Sequence, residues 1–393
     1  MKRGDFMKSK NEHIKKHASF KELMLAIRMR SVSFIKKNIV MLIALTLAIV
    51  TCFFVPPDKS YLGYFDFKTL ACLFSVLAVV CALKNIKFFY TLAKKIVTLF
   101  KTARLSVLAL VYITFIGSML IANDMALLTF LPLGYLVLKT TGKEKYMAFT
   151  FIMQNISANL GGMLTPFGNP QNLYLYSKFE INTLEFIWIM LPSFILSIAL
   201  ITLACIIFVR GEKLNVENEP IKLPKVRTII YLVLFALAIV IVFKLIPYWI
   251  GPIVILIALL IMDRRALLKV DYPLLLTFVF FFIFSGNMAR IDVVKEFFGF
   301  LLEKNTLVFS TLSCQVISNV PSAILLSQFT SNYRDLLLGV NIGGVGTLIS
   351  SLASLITLRE YLKEKPNGAL KYILKFSAFN FEFLAILLGF NLL

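Results

Sequence analysis

The chain has 393 residues, is 59% hydrophobic and only 16% charged, and carries a formal net charge of +20 at pH 7. A mean hydropathy of +0.84 excludes a soluble globular protein, because so little polar material cannot dress a water-facing surface. The excess charge does not point to nucleic acid either: the 41 Lys/Arg collect in the N-terminal tail and in loops of one side.

Residues 1–36 are basic and lack the apolar core and small-residue cleavage site of a signal peptide. Residues 19–33 read either as a basic amphipathic helix on the inner membrane surface or as a disordered basic tail. With this tail in the cytoplasm, 38–55 runs outward and 67–83 runs back. The stretch 84–104 then lies inside as an amphipathic surface segment, with Lys84, Lys87, Lys94, Lys95, Lys101 and Arg104 and no acid. Residues 105–138 enter and return as a re-entrant hairpin, 146–177 cross outward with a break, and 184–209 return. A cytoplasmic linker follows at 210–227. Residues 228–245 go out, 251–262 come in to a loop at 263–271, and 272–288 go out again. An outer amphipathic segment at 289–304 leads to a second hairpin at 305–330. Residues 333–358 cross inward, again with a break, and 369–393 end outside.

Most Lys/Arg fall on the cytoplasmic side in this threading, as the positive-inside rule expects. It also gives the two hairpins mouths on opposite faces. The expected fold is an all-α polytopic membrane protein of two inverted-topology repeats, each with a re-entrant hairpin and a broken transmembrane helix. Its parts are a tail (1–36), a first repeat (37–209), a linker (210–227) and a second repeat (228–393). The expected location is the plasma membrane, with a cytoplasmic N-terminus.

The breaks carry the chemistry. Asn159-Leu160-Gly161-Gly162-Met163-Leu164-Thr165 in the first half returns as Asn341-Ile342-Gly343-Gly344-Val345-Gly346-Thr347 in the second. Upstream of each, a polar Asn interrupts apolar sequence, at Ala122-Asn123-Asp124 and at Ser318-Asn319-Val320-Pro321. Matching interruptions in two halves point to a transporter's binding site, because broken backbone persists in a membrane only where protein, water or a ligand satisfies it. Asn123 or Asp124 can cap the second half-helix, and Pro321 suits a first helical position. Pro166 and Pro170 forbid a continuous helix through Gly168-Asn169-Pro170-Gln171-Asn172, which makes Asn169 an N-cap. Half-helix N-termini favour an anion. Freed carbonyls and amide oxygens suit Na⁺, with Asn123, Asp124, Ser318 and Asn319 as its candidate ligands. Asp124 reads as a Na⁺ ligand, a proton carrier or a helix cap.

The candidate substrate and ion site therefore comprises Asn123, Asp124, Asn159, Gly161, Gly162, Thr165, Gly168, Asn169, Asn172, Ser318, Asn319, Asn341, Gly343, Gly344, Gly346 and Thr347. Gln154, Asn155, Ser157, Ser313 and Gln315 read as cavity lining or as bridges between helices. Lys375 and Glu382, seven residues apart, read as a structural ion pair. Apart from Arg334 at the very start of 333–358, no Arg lies in a broken helix as drawn, so a substrate carboxylate is expected to be held by amides, hydroxyls and helix ends. The five cysteines sit in apolar segments and read as packing residues. His13 and His17, the only histidines, lie in the tail, and no nucleotide-binding P-loop is present. An intramembrane enzyme and an ATP-driven pump are thus disfavoured, and dead-end hairpins argue against a channel.

These motifs resemble the ion transporter superfamily of divalent-anion/sodium symporters, citrate transporters, arsenite permeases and sodium/proton antiporters of the same fold. The resemblance spans roughly residues 38 to 393. It implies a homodimer in the lipid bilayer, a scaffold and a mobile transport domain, and a small anionic substrate coupled to Na⁺ or H⁺, with no other cofactor. In the symporter branch each hairpin tip reads Ser-Asn-Thr. Here the tips read Ala122-Asn123-Asp124 and Ser318-Asn319-Val320, and Ser354 stands where relatives often have the Asn matched by Asn172. Asp124 leans toward the arsenite-permease-like or proton-coupled branches. The function expected is secondary transport of a carboxylate or an oxyanion such as arsenite by alternating access. The alternative is a cation/proton antiporter that uses Asp124.

Overall fold

The computed structural model describes residue 35, residues 38–214 and residues 223–393. The segment at 19–33, nearly all of the 1–36 tail and the middle of the linker lie outside the described residues. Among these residues every regular element is a helix, and the only β-type pairing is an isolated bridge between Thr102 and Lys213.

The first half contains α1 (Ile39–Phe54), α2 (Phe67–Asn85), α3 (Phe88–Val97), α4 (Ala103–Ile121), α5 (Asn123–Thr140), α6 (Met147–Gly161), α7 (Pro170–Lys178) and α8 (Thr183–Phe208). The second contains α9 (Lys225–Val242), α10 (Ile250–Met262), α11 (Arg264–Leu268), α12 (Tyr272–Met288), α13 (Asp292–Ile317), α14 (Asn319–Leu326), α15 (Tyr333–Ile342), α16 (Leu352–Glu364) and α17 (Ala369–Leu392). Among the described residues, five spans are long and apolar enough to cross a bilayer: α2, α4, α8, α9, and Pro366–Leu392, which includes α17; the bent pair of α12 and α13 makes six if it is one span. The surface segment expected at 84–104 contains the short α3. Its polar face carries Lys94 and Lys95, while Phe89, Ala93 and Val97 are buried.

Short polar side chains start the helices where the sequence places them. Asp66 Oδ1 accepts from Thr69 N (2.9 Å) ahead of α2, Asn182 Oδ1 from Leu184 N (2.9 Å) ahead of α8, and Asp271 Oδ1 from Leu274 N (3.1 Å) ahead of α12. Each satisfies a backbone donor that apolar surroundings would leave orphaned. α13 bends out of line with α12 by 98°. It is itself interrupted at Asn305, whose non-helical backbone (φ −166°, ψ 96°) lets Oδ1 accept from Val308 N at 2.9 Å. That residue falls at the boundary drawn from sequence between 289–304 and 305–330.

The helices form two packed groups. In one, α2 packs against α9, α10 and α11, and Asp263 Oδ2 accepts from Asn85 Nδ2 (3.0 Å) and the Tyr231 hydroxyl (3.4 Å). α1 runs along α12, held by Asn287 Nδ2 to Thr51 Oγ1 (3.2 Å) and by an Arg290–Asp58 ion pair (2.8 Å). In the other, α4 and α5 fold back on each other, as do the later part of α13 and α14. The second arm of each hairpin packs on the other half's broken helix: α5 on α16, and α14 on α7.

The start of the linker is docked rather than loose. Ala103 N donates to Glu212 O (2.7 Å), Leu214 N donates to Lys101 O (2.8 Å), and the Glu212 carboxylate receives Lys143, Lys145 and the Tyr146 hydroxyl (2.9 Å). The bonds from these lysines hold the Glu212 carboxyl at about 2, below its ordinary 4.5. A depressed carboxylate stabilises the fold above its unfolded value and ceases to do so as pH falls through the folded one. Glu212→Gln is therefore expected to lower the melting temperature at pH 7. The gap to the unaltered protein should narrow steadily below pH 4.5, as read by thermal melting in detergent.

Two sequence expectations fail here. Lys375 and Glu382 are both exposed and no ion pair joins them; facing outward from α17 they do not meet each other. Pro321 is the third residue of α14 rather than the first, since the helix starts at Asn319; its missing N–H still falls among the donors a helix start leaves free.

Candidate functional site

The hairpin tips share one backbone geometry. Ala122 turns the chain between α4 and α5 at φ 64°, ψ 151°, and Ser318 turns it between α13 and α14 at φ 74°, ψ 160°. Neither is glycine, so each tip stores about 1–3 kcal/mol of backbone strain. The Asn that follows folds its Oδ1 onto the next amide: Asp124 N to Asn123 at 2.9 Å, and Val320 N to Asn319 at 2.9 Å. The amide nitrogens remain for the interior. Asn123 Nδ2 donates to Asn159 Oδ1 (3.1 Å), and Asn319 Nδ2 lies 3.0 Å from where a Cβ on Gly344 would stand.

Asparagines tie the broken helices together behind the tips. Asn169 Nδ2 donates to Asn159 O (3.2 Å) and to Asn341 Oδ1 (3.3 Å), while Asn341 Nδ2 donates to Asn172 Oδ1 at 2.6 Å. Asn172 Nδ2 reaches the carbonyls of Gly162 (3.1 Å) and Met163 (3.3 Å), freed by the break after α6. Side-chain amides thus replace the helical hydrogen bonds that the breaks remove. Asn169 does occupy the N-cap position of α7 with Pro170 behind it, but its side chain makes no capping bond; its Nδ2 is shared between Asn159 in its own half and Asn341 in the other.

A cavity of about 120 Å³ lies between the tips, lined by Asn123, Asp124, Ser318 and Asn319. Gln171, Asp271 and Arg359 line it too. The N-termini of α5, α7, α14 and α16 all reach this cavity, as do those of α1 and α12. Helix N-termini carry partial positive charge and unpaired N–H groups, so their convergence favours an anion. Arg359 adds a guanidinium, and Asp124 and Asp271 add carboxylates from the two helix groups.

Several polar atoms here have no hydrogen-bond partner among the described residues. They are Asp124 Oδ1, Asn169 Oδ1, and both amide atoms of Gln171, a residue only 1% exposed. Buried polar atoms are almost always satisfied, so a cluster of exceptions beside a cavity marks a place for a ligand. Because Gln171 has no partner to lose among the described residues, Gln171→Leu is expected to keep the melting temperature within about 2 °C while weakening ligand binding at the cavity at least about tenfold.

The sequence profile of the citrate transporter family matches residues 23–333, a span holding both hairpin tips and the first broken helix. The chain belongs to the citrate transporter family. It is 36% identical over 297 residues to an uncharacterised transporter of Methanocaldococcus jannaschii, covering 75% of this chain and 81% of that protein. It is 29% identical over 316 residues to the inner membrane protein YbiR of Escherichia coli, covering 78% and 83% respectively. This citrate transporter family member is thus a transporter, and an integral membrane protein by family and by its apolar helices.

Of the residues expected at the site, Asn123, Asp124, Ser318 and Asn319 line the cavity, and Asn159, Asn169, Asn172 and Asn341 form the network behind it. The glycines serve close packing. A Cβ on Gly161 would stand 2.2 Å from Phe115 O, one on Gly343 2.8 Å from Cys314 Cβ, and one on Gly168 2.4 Å from Gly162 O. A Cβ on Gly162 would meet Asn169 Oδ1 at 2.5 Å, and one on Gly344 would stand 3.0 Å from Asn319 Nδ2 and 3.5 Å from Asn159 Oδ1. Thr165 Oγ1 donates to Met119 O (2.7 Å), and Thr347 Oγ1 to Gln315 O (3.0 Å), each pinning a hairpin to its broken helix.

Gln154, Asn155, Ser313 and Gln315 are bridges rather than lining. Gln154 Nε2 donates to Thr114 Oγ1 (3.0 Å), Asn155 Nδ2 to Ser354 Oγ (3.3 Å), Ser313 meets Ser322 (2.9 Å), and Gln315 Nε2 donates to Gly343 O (2.9 Å). Ser157 is buried and lies off the cavity. Sequence reasoning missed Gln171, Asp271 and Arg359. Gln171 stood inside the quoted motif, and Arg359 lies one residue beyond the span drawn for the second broken helix. The expectation that amides, hydroxyls and helix ends alone surround the breaks is thereby corrected, because α16 extends to Glu364 and carries Arg359 to the cavity.

Proposed function

We propose that the protein is a secondary active transporter that moves a small anion, a carboxylate or an oxyanion, by alternating access coupled to Na⁺ or H⁺. The observation that carries this reading is the convergence of helix N-termini, Arg359 and unpartnered Gln171 on one cavity between two tips of matching backbone. The matching tips and the reciprocal packing of α5 on α16 and α14 on α7 support two inverted repeats, 37–209 and 228–393, with re-entrant hairpins. Helices α1, α2 and α9–α12 form the scaffold, and the hairpins with their broken helices form the moving part. The N-terminus is cytoplasmic, and the cavity, at the N-terminal ends of α1 and α12, opens inward. A homodimer in the plasma membrane completes the reading.

Citrate, from the description of the family, is the first substrate to test, with succinate and arsenite beside it. The experiment is uptake of each labelled anion into proteoliposomes under imposed sodium or proton gradients. Uptake of one anion, driven by one gradient, supports the reading. Uptake indifferent to both gradients would overturn the coupling. A second reading, cation/proton exchange through Asp124, is favoured by the buried and unpartnered Asp124 Oδ1 beside Asp271. Dye-monitored exchange of Na⁺ for H⁺ without any anion would establish it instead.

A further inference from the structure

A second cavity, of about 480 Å³, lies away from the hairpin tips, where α2 passes into α3 against the outer face of α5. Lys84, Lys87 and Lys94 line one end with Tyr90, and among the described residues none of its lining is a carboxylate. The other end is an apolar strip along α5, from Leu128 through Pro132 to Leu136. Leu128 and Leu136 are each 40% exposed and stand two turns apart, about 12 Å along the helix.

Lys87 adopts φ 59°, ψ 28°, a left-handed conformation suited to glycine. Its N–H donates to Lys84 O (2.9 Å) and its carbonyl accepts from Thr91 N (2.9 Å), so this residue sets the corner between α2 and α3. A strained corner that carries lysine rather than glycine points to a use for the ammonium group. α3 buries one face and leaves Leu92 half exposed beside its lysines, the pattern of a helix lying at a membrane surface.

We propose that this groove binds an anionic phospholipid, with its phosphate held by Lys84, Lys87 and Lys94 and an acyl chain laid along Leu128–Pro132–Leu136. Basic pockets between helices at a membrane face recognise anionic headgroups in this way. The adjoining apolar strip is what separates a lipid from a free phosphate as occupant. Because α3 joins α2 to α4, the lipid touches both helix groups at once. The proposal is independent of the substrate reading.

The test is native mass spectrometry of the purified, delipidated protein with phosphatidylglycerol, phosphatidylcholine or glycerol 3-phosphate. Phosphatidylglycerol adducts are expected to persist where phosphatidylcholine adducts are lost, and a millimolar excess of glycerol 3-phosphate should not displace them. Equal retention of the two lipids, or full displacement by glycerol 3-phosphate, overturns the proposal. Lys84→Gln and Lys94→Gln should each weaken the lipid about fivefold. Lys87→Gly removes the charge while relieving the left-handed corner, so it keeps the fold. It should weaken the lipid by a similar factor without lowering the melting temperature. Unchanged lipid binding in Lys87→Gly and in a Lys84→Gln/Lys94→Gln double variant sinks the site.

Discussion

Asp124→Asn is expected to reduce gradient-driven uptake by more than about 100-fold, a loss equivalent to about 2.7 kcal/mol, while leaving the protein folded. Asp124 Oδ1 is buried at the cavity without a hydrogen-bond partner, so the native fold bears the cost of a carboxyl there and gains no contact in return. An amide of nearly the same shape avoids burying a charge there and loses any capacity to carry a proton or to offer a full negative charge to Na⁺. Melting temperature should hold or rise. The second arm of the measurement separates the mechanisms: residual uptake that no longer responds to a proton gradient assigns the proton to Asp124. Wild-type uptake in this variant, with gradient dependence intact, would remove Asp124 from coupling altogether.

The second large effect is on folding. Gly346 has φ 135°, and a Cβ there would stand 2.1 Å from Gln315 Oε1. That oxygen accepts from Thr347 N (2.9 Å), while Gln315 Nε2 donates to Gly343 O (2.9 Å) and Val345 O (3.2 Å). Gly346→Ala therefore strains the backbone and pushes away Gln315, which together with Ser350 satisfies backbone groups freed by the second break. Strain and stranded backbone groups together predict a loss of about 3–5 kcal/mol. Size-exclusion and thermal melting in detergent should show little folded material. Gly142→Ala is the control: Gly142 also has positive φ (66°), yet nothing lies within 4 Å of its Cβ position, so only the strain cost applies. Equal behaviour of the two variants would mean that Gln315 does not hold the break.

Local sequence was a good guide where the physics is local. The breaks at Asn123, Asn169, Asn319 and Gly346 all exist, because prolines, paired glycines and a lone Asn in apolar sequence leave the backbone few alternatives. Asn305 bounds the second hairpin for the same reason: an Asn side chain can restart a helix three residues on. The failures are long-range. The Lys375–Glu382 pair followed from helical spacing, but shared spacing does not bring two outward-facing side chains into contact. Asn169 was read as a cap from its neighbour Pro170, whereas its amide serves Asn341, 172 residues away. Arg359 and Asp271 reach the cavity from α16 and the start of α12, elements whose own sequence has no feature of a binding site.

From sequence alone came the class of molecule, the order of its main apolar helices, and the places where they break. Apolar length, charge bias and backbone chemistry act over a few residues and can be read there. Tertiary structure decided which polar atoms meet. It turned a row of asparagines into a network joining the halves, placed the glycines at close contacts between elements, and brought Gln171, Asp271 and Arg359 to the tips. Those contacts depend on helices far apart in the chain packing side by side, and no window of sequence contains both partners.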